Sequence, residues 1–430
     1  MSQRIMMGVA MILAAATGKA ESISVDSSKV YDIDEVVVVS QPKEAFRLRQ
    51  QPLSSTSFGN FEMNRLGARD LRELSSYIPN FVMPNYGSRL SSAVYVRGIG
   101  SRVNSPAIGV YVDGIPVMSK SAFNLHTYQL SRVDVLRGPQ GTLYGQNTEG
   151  GLVRLYSRNA FDYQGTDVRI GYGSRRYSNL EASHYQRLGD DVALMVGGFY
   201  NAQTGFFRNT TTGERADDYQ EAGGKLMLTG RLHSGWKVNV TADYQYVDQS
   251  AFPYGSLDLN TGKAEQPAST FPGSYRRNNL ITGLTLSYDA NTFTLASTTS
   301  YQYLKDHMYM DQDYLEADYM RMMQDQLQNA MTQEFSLKSR KPVGGVWHWA
   351  AGAFFSAQWL KTNGPVFFDS AMTTPIGNAI QQQMYGAMLQ AMAQRMMRPG
   401  MTQEQALALA AQMIERAGGV SMNVEKGAPG

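Results

Sequence analysis

The chain has 430 residues and a net charge of +2, with 39 Lys and Arg against 37 Asp and Glu. The length allows more than one domain, and the balanced charge excludes the large basic field of nucleic-acid-binding surfaces. Hydrophobic residues make up 43% of the chain, but no apolar run reaches the roughly 18 residues of a transmembrane helix. Cysteine is absent, which excludes disulfides, thiolate metal sites and cysteine nucleophiles.

The N-terminus has the pattern of an export signal. Arg4 precedes the apolar stretch 5–16, which is too short to span a bilayer, and residues 18–20 (Gly-Lys-Ala) place small side chains around a cleavage point. We therefore expect residues 1–20 to be a signal peptide. A buried N-terminal helix is the alternative.

Residues 21–44 are polar except for one short β-prone block that ends before Pro42. The block consists of Asp34, Glu35, Val36, Val37, Val38, Val39 and Ser40. A lone strand on a flexible tether can pair through its backbone with an exposed sheet edge of another protein. The alternative is an ordinary edge strand of the next domain.

Residues 45–160 have the pattern of a small α/β domain. Asp70 is placed to cap a helix over residues 71–77, which Pro79 stops. Short strands are predicted at residues 93–97, 108–112, 132–136 and 151–157. Asp113 and Gly114 split an alternating apolar run, as in a tight hairpin. The glycine-rich stretch 138–151 lacks the Gly-Lys-Ser/Thr ending of a phosphate-binding loop, so we do not expect a nucleotide site.

Residues 161–361 alternate between apolar and polar side chains over long segments. In residues 236–248 the even positions up to 246 are Trp, Val, Val, Ala, Tyr and Tyr, and most odd positions are polar. The pattern predicts about nine strands, longer than is usual in globular domains, with aromatic residues at their ends, as in a membrane β-barrel. They are residues 168–173, 179–188, 191–203, 225–233, 236–248, 279–289, 292–304, 331–340 and 346–359. A soluble β-sandwich is the alternative.

Residues 362–430 are rich in methionine and have a helical pattern. Met384, Met388, Met392 and Met396 are four residues apart and share one helical face, and Thr402 with Gln405 forms a possible capping box. We interpret the segment as a helical extracellular loop whose methionines form a packing face. A Cu(I) site is the alternative, because thioethers are soft ligands.

Five motifs in residues 45–160 resemble, in order and spacing, the plug domain of TonB-dependent outer-membrane receptors. They are Ile78-Pro79-Asn80, Val96-Arg97-Gly98, Asp113-Gly114, residues 136–145 (Leu-Arg-Gly-Pro-Gln-Gly-Thr-Leu-Tyr-Gly) and Gly150-Gly151. The resemblance implies a mostly β fold, in which an α/β plug precedes antiparallel transmembrane barrel strands. Such receptors close their barrel with about 22 strands, so we expect a partial barrel in a C-terminally truncated chain. A smaller closed barrel is the alternative.

The resemblance also implies a location, partners and a function. It places the protein in the outer membrane of a Gram-negative bacterium, with residues 34–40 as the TonB box that TonB and its ExbB/ExbD motor pull upon. The expected function is energised import of a scarce ligand, a ferric siderophore or another iron chelate, with no cofactor and no nucleic-acid partner. Alternatives are import of cobalamin, haem or an oligosaccharide, or a surface binding or adhesion barrel without transport. The five histidines are scattered without an HExxH or GxSxG motif, so we expect no enzyme.

Specific site residues follow from the same resemblance. Arg97 and Arg137 match arginines that bond to barrel glutamates and lock the plug, and Glu334 is the expected wall partner, since Arg grips carboxylates bidentately. Ligand contacts are expected from loop residues whose cationic and aromatic groups suit an anionic, catechol-like or carboxylate-rich iron chelate. These residues are Tyr86, Arg89, Arg102 and Asn104.

Overall fold

The computed structural model describes residues 53–90, 93–100, 105–317 and 319–416. The predicted signal peptide and tether, the TonB box at residues 34–40, and the ligand candidates Arg102 and Asn104 lie outside these ranges. Within them, no helix has both the length and the apolar character needed to cross a membrane.

The first part of the described chain is a small α/β domain, as predicted. Its helices are α1 (Asn60–Leu66), α2 (Leu71–Ser75) and α3 (Gly141–Tyr144). Its strands are β1 (Ser54–Gly59), β2 (Phe81–Val82), β3 (Tyr95–Val96), β4 (Ile99–Gly100), β5 (Ile108–Val112), β6 (Ile115–Pro116), β7 (Leu130–Arg137) and β8 (Gly151–Ser157). The main sheet has the order β1-β7-β8-β5-β6, with β5 and β8 parallel, and β2, β3 and β4 form a second small sheet.

Local chemistry explains two of these elements. The Asp70 carboxylate accepts a hydrogen bond of 2.8 Å from the Glu73 amide and so caps α2, as the sequence indicates. Asp113 and Gly114 have φ of 52° and 86°, which is the two-residue turn that joins β5 to β6. Helix α2 ends at Ser75, two residues before the predicted end.

The second part is one antiparallel sheet of long strands. Its members are β9 (Gly165–Gly173), β10 (Tyr177–Arg187), β11 (Val192–Gln203), β12 (Tyr219–Arg231), β13 (Trp236–Ser250), β16 (Ser274–Asp289), β17 (Phe293–Asp311), β18 (Met320–Ser339), β19 (Ala350–Asn363) and β20 (Val366–Phe368). The strands β14 (Leu257–Asp258) and β15 (Lys263–Ala264) form a separate hairpin. The sheet runs from β9 to β19 in chain order, and β20 pairs with β18. Among the described residues the sheet stays open, with β9 and β19 at its edges.

The two faces of the sheet differ as the alternation predicts. On β13, Trp236, Val240 and Tyr244 are 41%, 37% and 43% exposed, whereas Thr241 and Gln245 on the opposite face are buried. The buried face packs against the small domain, because Ile281 and Leu304 belong to the same apolar core as the residues of β5, β7 and β8. The structure therefore confirms a plug-like α/β domain against barrel-type strands.

The two ends of the sheet differ in their connections. The long connections 204–218 and 251–273 lie at one end, which we call the loop end. The short connections 188–191, 232–235 and 290–292 lie at the other, the turn end. The loop end is therefore the one with enough chain to build a binding surface.

Two helices follow β20 at the loop end: α4 (Ser370–Met396) and α5 (Gln403–Arg416). The Thr402 amide donates to Gln405 Oε1 at 3.1 Å, and the Gln405 amide to Thr402 Oγ1 at 3.3 Å, which is the expected capping box. Met392 and Met396 pack against an alanine cluster between the helices, whereas Met384 and Met388 are 48% and 45% exposed. Half of the methionine stripe is therefore a packing face.

Candidate functional site

A cavity of about 320 Å³, the outer cavity, lies between the small domain and the loop end of the sheet. Its size is at the lower end of ordinary ligand pockets. Side chains of both parts line it: Arg69, Asp70, Arg72, Glu73, Arg89 and His126 of the small domain, and Asn201, Gln203, Asp217, Tyr219, Glu221 and Tyr254 of the sheet and its loops.

Four charged or titratable side chains meet at the floor of the outer cavity and form the Glu221 cluster: Asp70, Arg89, His126 and Glu221. Arg89, only 5% exposed, donates to Asp70, and its Nε lies 3.3 Å from Glu221 Oε1. His126 Nε2 lies 3.2 Å from Glu221 Oε2 and 2.8 Å from Arg89 Nη2. Glu221 belongs to β12, so the cluster ties the small domain to the sheet.

Burial and charge set the protonation of this cluster. Burial and the positive charge of Arg89 lower the pKa of His126 below its usual value, although the Glu221 carboxylate opposes them. His126 is therefore neutral near pH 7. Burial raises the pKa of Asp70, but Arg89 and Arg72 outweigh it, so the net shift is downward and the carboxyl stays ionised.

The arginines of the outer cavity are matched by acids. Arg69 lies 3.2 Å from Glu73, Arg72 lies 4.0 Å from Asp70, and Arg89 contacts both Asp70 and Glu221. An anionic ligand would have to compete with these carboxylates rather than meet unpaired cations. The cavity thus offers exchangeable ion pairs and not a simple cationic surface.

A second set of buried charges, the Lys225 cluster, joins the β5–β6 hairpin to the sheet. Lys225 Nζ of β12 lies 2.9 Å from Asp113 Oδ2 and 3.9 Å from Asp243 Oδ2, and also contacts Ser157 Oγ. Asp113 in turn accepts 2.7 Å hydrogen bonds from the Ser157 amide and hydroxyl. The Lys225 side chain is 3% exposed, so its charge is buried.

The predicted lock residues are placed differently. Arg97 is exposed, and its amide donates to Asn80 O at 2.8 Å. Arg137 donates to Pro79 O at 3.0 Å and to Thr56 Oγ1 at 3.2 Å, so it holds the small domain to itself. Glu334 faces the small domain and lines a cavity of about 240 Å³. These contacts do not test the pairing of Glu334 with either arginine, and the lock stays a prediction.

Of the predicted ligand residues, the structure describes Tyr86 and Arg89. Arg89 lines the outer cavity but is engaged in the Glu221 cluster. Tyr86 is half-buried, and its carbonyl accepts a 2.6 Å hydrogen bond from Tyr254 Oη. Ligand contact by either residue stays a prediction.

Sequence reasoning missed Glu221, Lys225 and His126 as residues that connect the two parts. The available signal was the position of Glu221 and Lys225, because both lie on the buried face of β12 together with Met227. A charge on the plug-facing side of a barrel strand needs a partner. The predicted strand began at Lys225, so Glu221 was not recognised as a strand residue.

The rim of the outer cavity is held by hydrogen bonds between loops. The Thr210 amide donates to Pro267 O at 2.8 Å, and Asn209 Nδ2 donates to Ser269 O at 2.8 Å, which joins connection 204–218 to connection 251–273. The Phe252 amide donates to Gly87 O at 2.9 Å and so joins the second loop to the small domain. These bonds hold the two loops to each other and the second loop to the small domain.

Acidic groups and histidines in the described residues do not form a metal site: no three of them are arranged to hold an ion. The chemistry of the outer cavity is accordingly that of ion pairs, hydrogen bonds and aromatic contacts.

Comparison with known families assigns the small domain. Residues 47–152 match the model of the TonB-dependent Receptor Plug Domain. The small domain therefore resembles a TonB-dependent receptor plug. The five motifs of this plug and its packing against antiparallel strands agree with that assignment, and we call the long-stranded sheet the barrel wall.

Curated relatives match over part of the chain. The chain is 30% identical over 150 residues to the pesticin receptor of Yersinia pestis, which covers 34% of this chain and 21% of that receptor. It is 33% identical over 108 residues to the pesticin receptor of Yersinia enterocolitica, which covers 25% of this chain and 16% of that receptor. The matched region is thus a minor part of each relative.

Solved structures match over both plug and wall. The ferric yersiniabactin uptake receptor FyuA from Yersinia pestis has a TM-score of 0.65 at 20% identity, covering 74% of this chain and 50% of that chain. The ferric-catecholate import receptor Fiu from E. coli K12 has a TM-score of 0.60 at 16% identity, covering 75% and 49%. The pyoverdine receptor FpvA from Pseudomonas aeruginosa has a TM-score of 0.59 at 16% identity, covering 75% and 48%. At these identities the likeness shows the fold, and the chain spans about half of each solved receptor.

Proposed function

We propose that this chain belongs to an outer-membrane receptor of a Gram-negative bacterium that imports a scarce ligand with energy supplied through TonB. The observation that carries the proposal is the Glu221 cluster. It forms the floor of the outer cavity and, in the same side chains, ties the plug to the barrel wall. A ligand that bonds to Arg89 would therefore act directly on a plug–wall contact.

The packing of plug and wall explains why such an importer needs energy. Ile281 and Leu304 of the wall lie in one apolar core with plug residues, and Gln302 Nε2 donates to Pro116 O at 2.6 Å. Passive passage would require breaking this core, which is costly because apolar burial stabilises packed interiors. Force on residues 34–40 by TonB, driven by ExbB/ExbD, would supply that work.

The ligand class of the proposal is a ferric siderophore or another iron chelate. FyuA is a ferric yersiniabactin uptake receptor, Fiu a ferric-catecholate import receptor and FpvA a pyoverdine receptor. The outer cavity adds arginines and tyrosine side chains that suit carboxylate and catechol groups.

The domain boundaries are part of the proposal. Residues 1–20 would be the signal peptide, 21–44 the periplasmic tether, 45–160 the plug and 161–361 barrel strands in contact with outer-membrane lipid. Residues 362–430 would form the helical extracellular loop. The helices α4 and α5 at the loop end support the last of these.

Deletion of residues 34–40 from the full-length receptor tests the proposal. Uptake of radioactive iron supplied as a ferric siderophore should fall to background, while binding to intact cells at 0 °C should be unchanged. Deletion of residues 21–27, a segment of equal length in the same tether, is the matched control and should leave uptake intact. Uptake that persists without residues 34–40 would contradict the proposal that TonB pulls on this segment.

A further inference from the structure

A second cavity of about 390 Å³, the inner cavity, lies between the plug and strands β9 and β10. It is bounded on the wall by Glu181, Ser183 and Tyr185, which pair in register with Phe199, Gly197 and Met195 of β11. The outer cavity meets β11 further towards the loop end, at Asn201 and Gln203. The two cavities therefore follow one another along the same strip of wall.

Three aromatic rings separate the two cavities. Phe199 points to the plug between Asn201, which lines the outer cavity, and Gly197, which abuts Gln129 of the inner cavity. Its ring centroid lies 4.0 Å from that of His126 and 4.7 Å from that of Tyr128. His126 lines the outer cavity and Tyr128 the inner one. We call these three rings the Phe199 partition.

Glycines of the wall make room for this partition. Gly223 pairs with Phe199 across β11 and β12, and a Cβ on Gly223 would lie 2.4 Å from Phe199 Cε1. A Cβ on Gly197 would lie 1.7 Å from Gln129 Nε2. A side chain at position 223 would therefore displace the Phe199 ring, and one at position 197 would displace Gln129.

Two side chains that line the inner cavity carry buried polar atoms without partners. Tyr128 and Gln129 are each 7% exposed, yet Tyr128 Oη and both amide atoms of Gln129 have no hydrogen bond within the described part of the chain. Buried polar atoms are rarely left unsatisfied unless a water, an ion or a ligand bonds to them. These three atoms supply donors and acceptors but no net charge.

The charged groups around the inner cavity are paired with each other. Arg158 lies 2.9 Å from Asp167, and Arg169 lies 3.1 Å from Glu181. A charged ligand would find no uncompensated partner there, whereas hydroxyl and amide groups match Tyr128 and Gln129.

We propose that the inner cavity is a second ligand site, reached from the outer cavity past the Phe199 partition, and that it takes neutral hydroxyl or amide groups. The biological role of this site rests on the proposed import function. Access to the site and its ligand preference can nevertheless be measured without transport. Phe199 acts as the barrier, and Gly223 lets its ring lie against the wall.

Because the chain has no cysteine, a single introduced thiol gives an unambiguous accessibility probe. Ser183→Cys places the thiol in the inner cavity, and Gln203→Cys places it in the outer cavity. A neutral hydroxyethyl methanethiosulfonate is added outside porin-deficient cells that display the full-length receptor. Ser183→Cys should react slowly and Gln203→Cys quickly. Adding Phe199→Ala should accelerate labelling of Ser183→Cys roughly tenfold or more, because opening then no longer limits access.

Two further variants keep this test decisive. Phe199→Leu retains an apolar side chain and should give an intermediate rate even if the alanine variant folds poorly. Phe161→Ala removes another buried phenylalanine, packed near Tyr185 but lining neither cavity, and should leave the rate unchanged. Two results would overturn the proposed route past Phe199. One is that Ser183→Cys is labelled as fast as Gln203→Cys while Phe199 is intact, and the other is that neither Phe199 substitution changes the labelling rate of Ser183→Cys.

The chemical class is tested with a trimethylammonium methanethiosulfonate of similar size. The ratio of neutral to cationic labelling should be several-fold higher at Ser183→Cys than at Gln203→Cys, because the inner site offers no unpaired acid. Equal ratios would overturn the assignment to neutral groups. Neither measurement needs an iron chelate or TonB, so a failed import assay would not alter these results.

Discussion

The Glu221 and Lys225 clusters lie four residues apart on the same face of β12, yet their charges are arranged in opposite order. In the Glu221 cluster the wall supplies the acid and the plug supplies Arg89, whereas in the Lys225 cluster the wall supplies the cation and the plug supplies Asp113. The first borders the outer cavity, and the second does not. One plug–wall contact therefore borders the outer cavity, whereas the other is centred on a buried lysine.

The largest expected effect comes from Lys225→Met. Removing the lysine leaves Asp113 and Asp243 buried without their cation, which should destabilise the plug by about 3–5 kcal/mol. Native-state hydrogen exchange of the amides of β5 and β8 would report the change as a loss of protection. Unchanged protection would show that the Lys225 cluster does not anchor the plug.

A smaller effect is expected from Glu221→Gln. The amide still accepts a hydrogen bond from Arg89, and Arg89 keeps Asp70, so the loss should be about 1.5–3 kcal/mol. Native-state hydrogen exchange would show where this stability is lost, by comparing the protection of amides in the β5–β6 hairpin with that of amides in α2. Loss confined to the hairpin rather than to α2 and its neighbours would contradict our assignment of the two clusters to separate anchoring points.

The pH dependence separates the clusters further, because only the Glu221 cluster contains a histidine. The pKa of His126 is lower in the folded plug than in the unfolded chain, so the folded state binds the proton less well. Stability should be constant above about pH 6.5 and should fall as the pH drops below it. His126→Gln should remove this fall, as measured by exchange protection at pH 7.5 and 5.5. A fall that survives the substitution would have to arise elsewhere.

The smallest effect is expected at an exposed pair on the same wall. Lys237 lies 2.8 Å from Asp289, but its side chain is 54% exposed. Lys237→Met should change stability by less than about 1 kcal/mol, because solvent screens such pairs. Lys237→Met and Lys225→Met remove the same kind of side chain, one exposed and one buried. A similar loss of stability in both variants would show that burial does not determine the size of the effect.

Strand alternation predicted most of the wall because one face meets the plug and the other is exposed. It failed where the wall adapts to the plug. Strand β12 begins at Tyr219 rather than at Lys225, since the residues from Glu221 to Gly224 interrupt the apolar pattern. Likewise β17 continues to Asp311, through polar residues such as Asp306 that face inward. Periodicity detects an apolar face, and these segments lack one.

The plug was predicted through local signals and a family resemblance, and its contacts with the wall were not. Strands β5 and β8 have the predicted bounds, because continuous apolar runs and turn residues define them. The pairing of Asp113 with Lys225 spans more than a hundred residues of sequence, and no local pattern specifies it. The expected partner Glu334 came from the resemblance alone, whereas the ion pairs that the structure shows use Glu221 and Lys225.

Hydrogen bonds at the rim of the outer cavity join the plug to the loops. The hydrogen bonds from Phe252 to Gly87 and from Tyr254 to Tyr86 attach the β14–β15 loop to the plug. A plug that shifts must break these bonds or drag the loop along. An antibody against residues 257–264 would then report plug displacement, and one that holds this hairpin in place would hinder it.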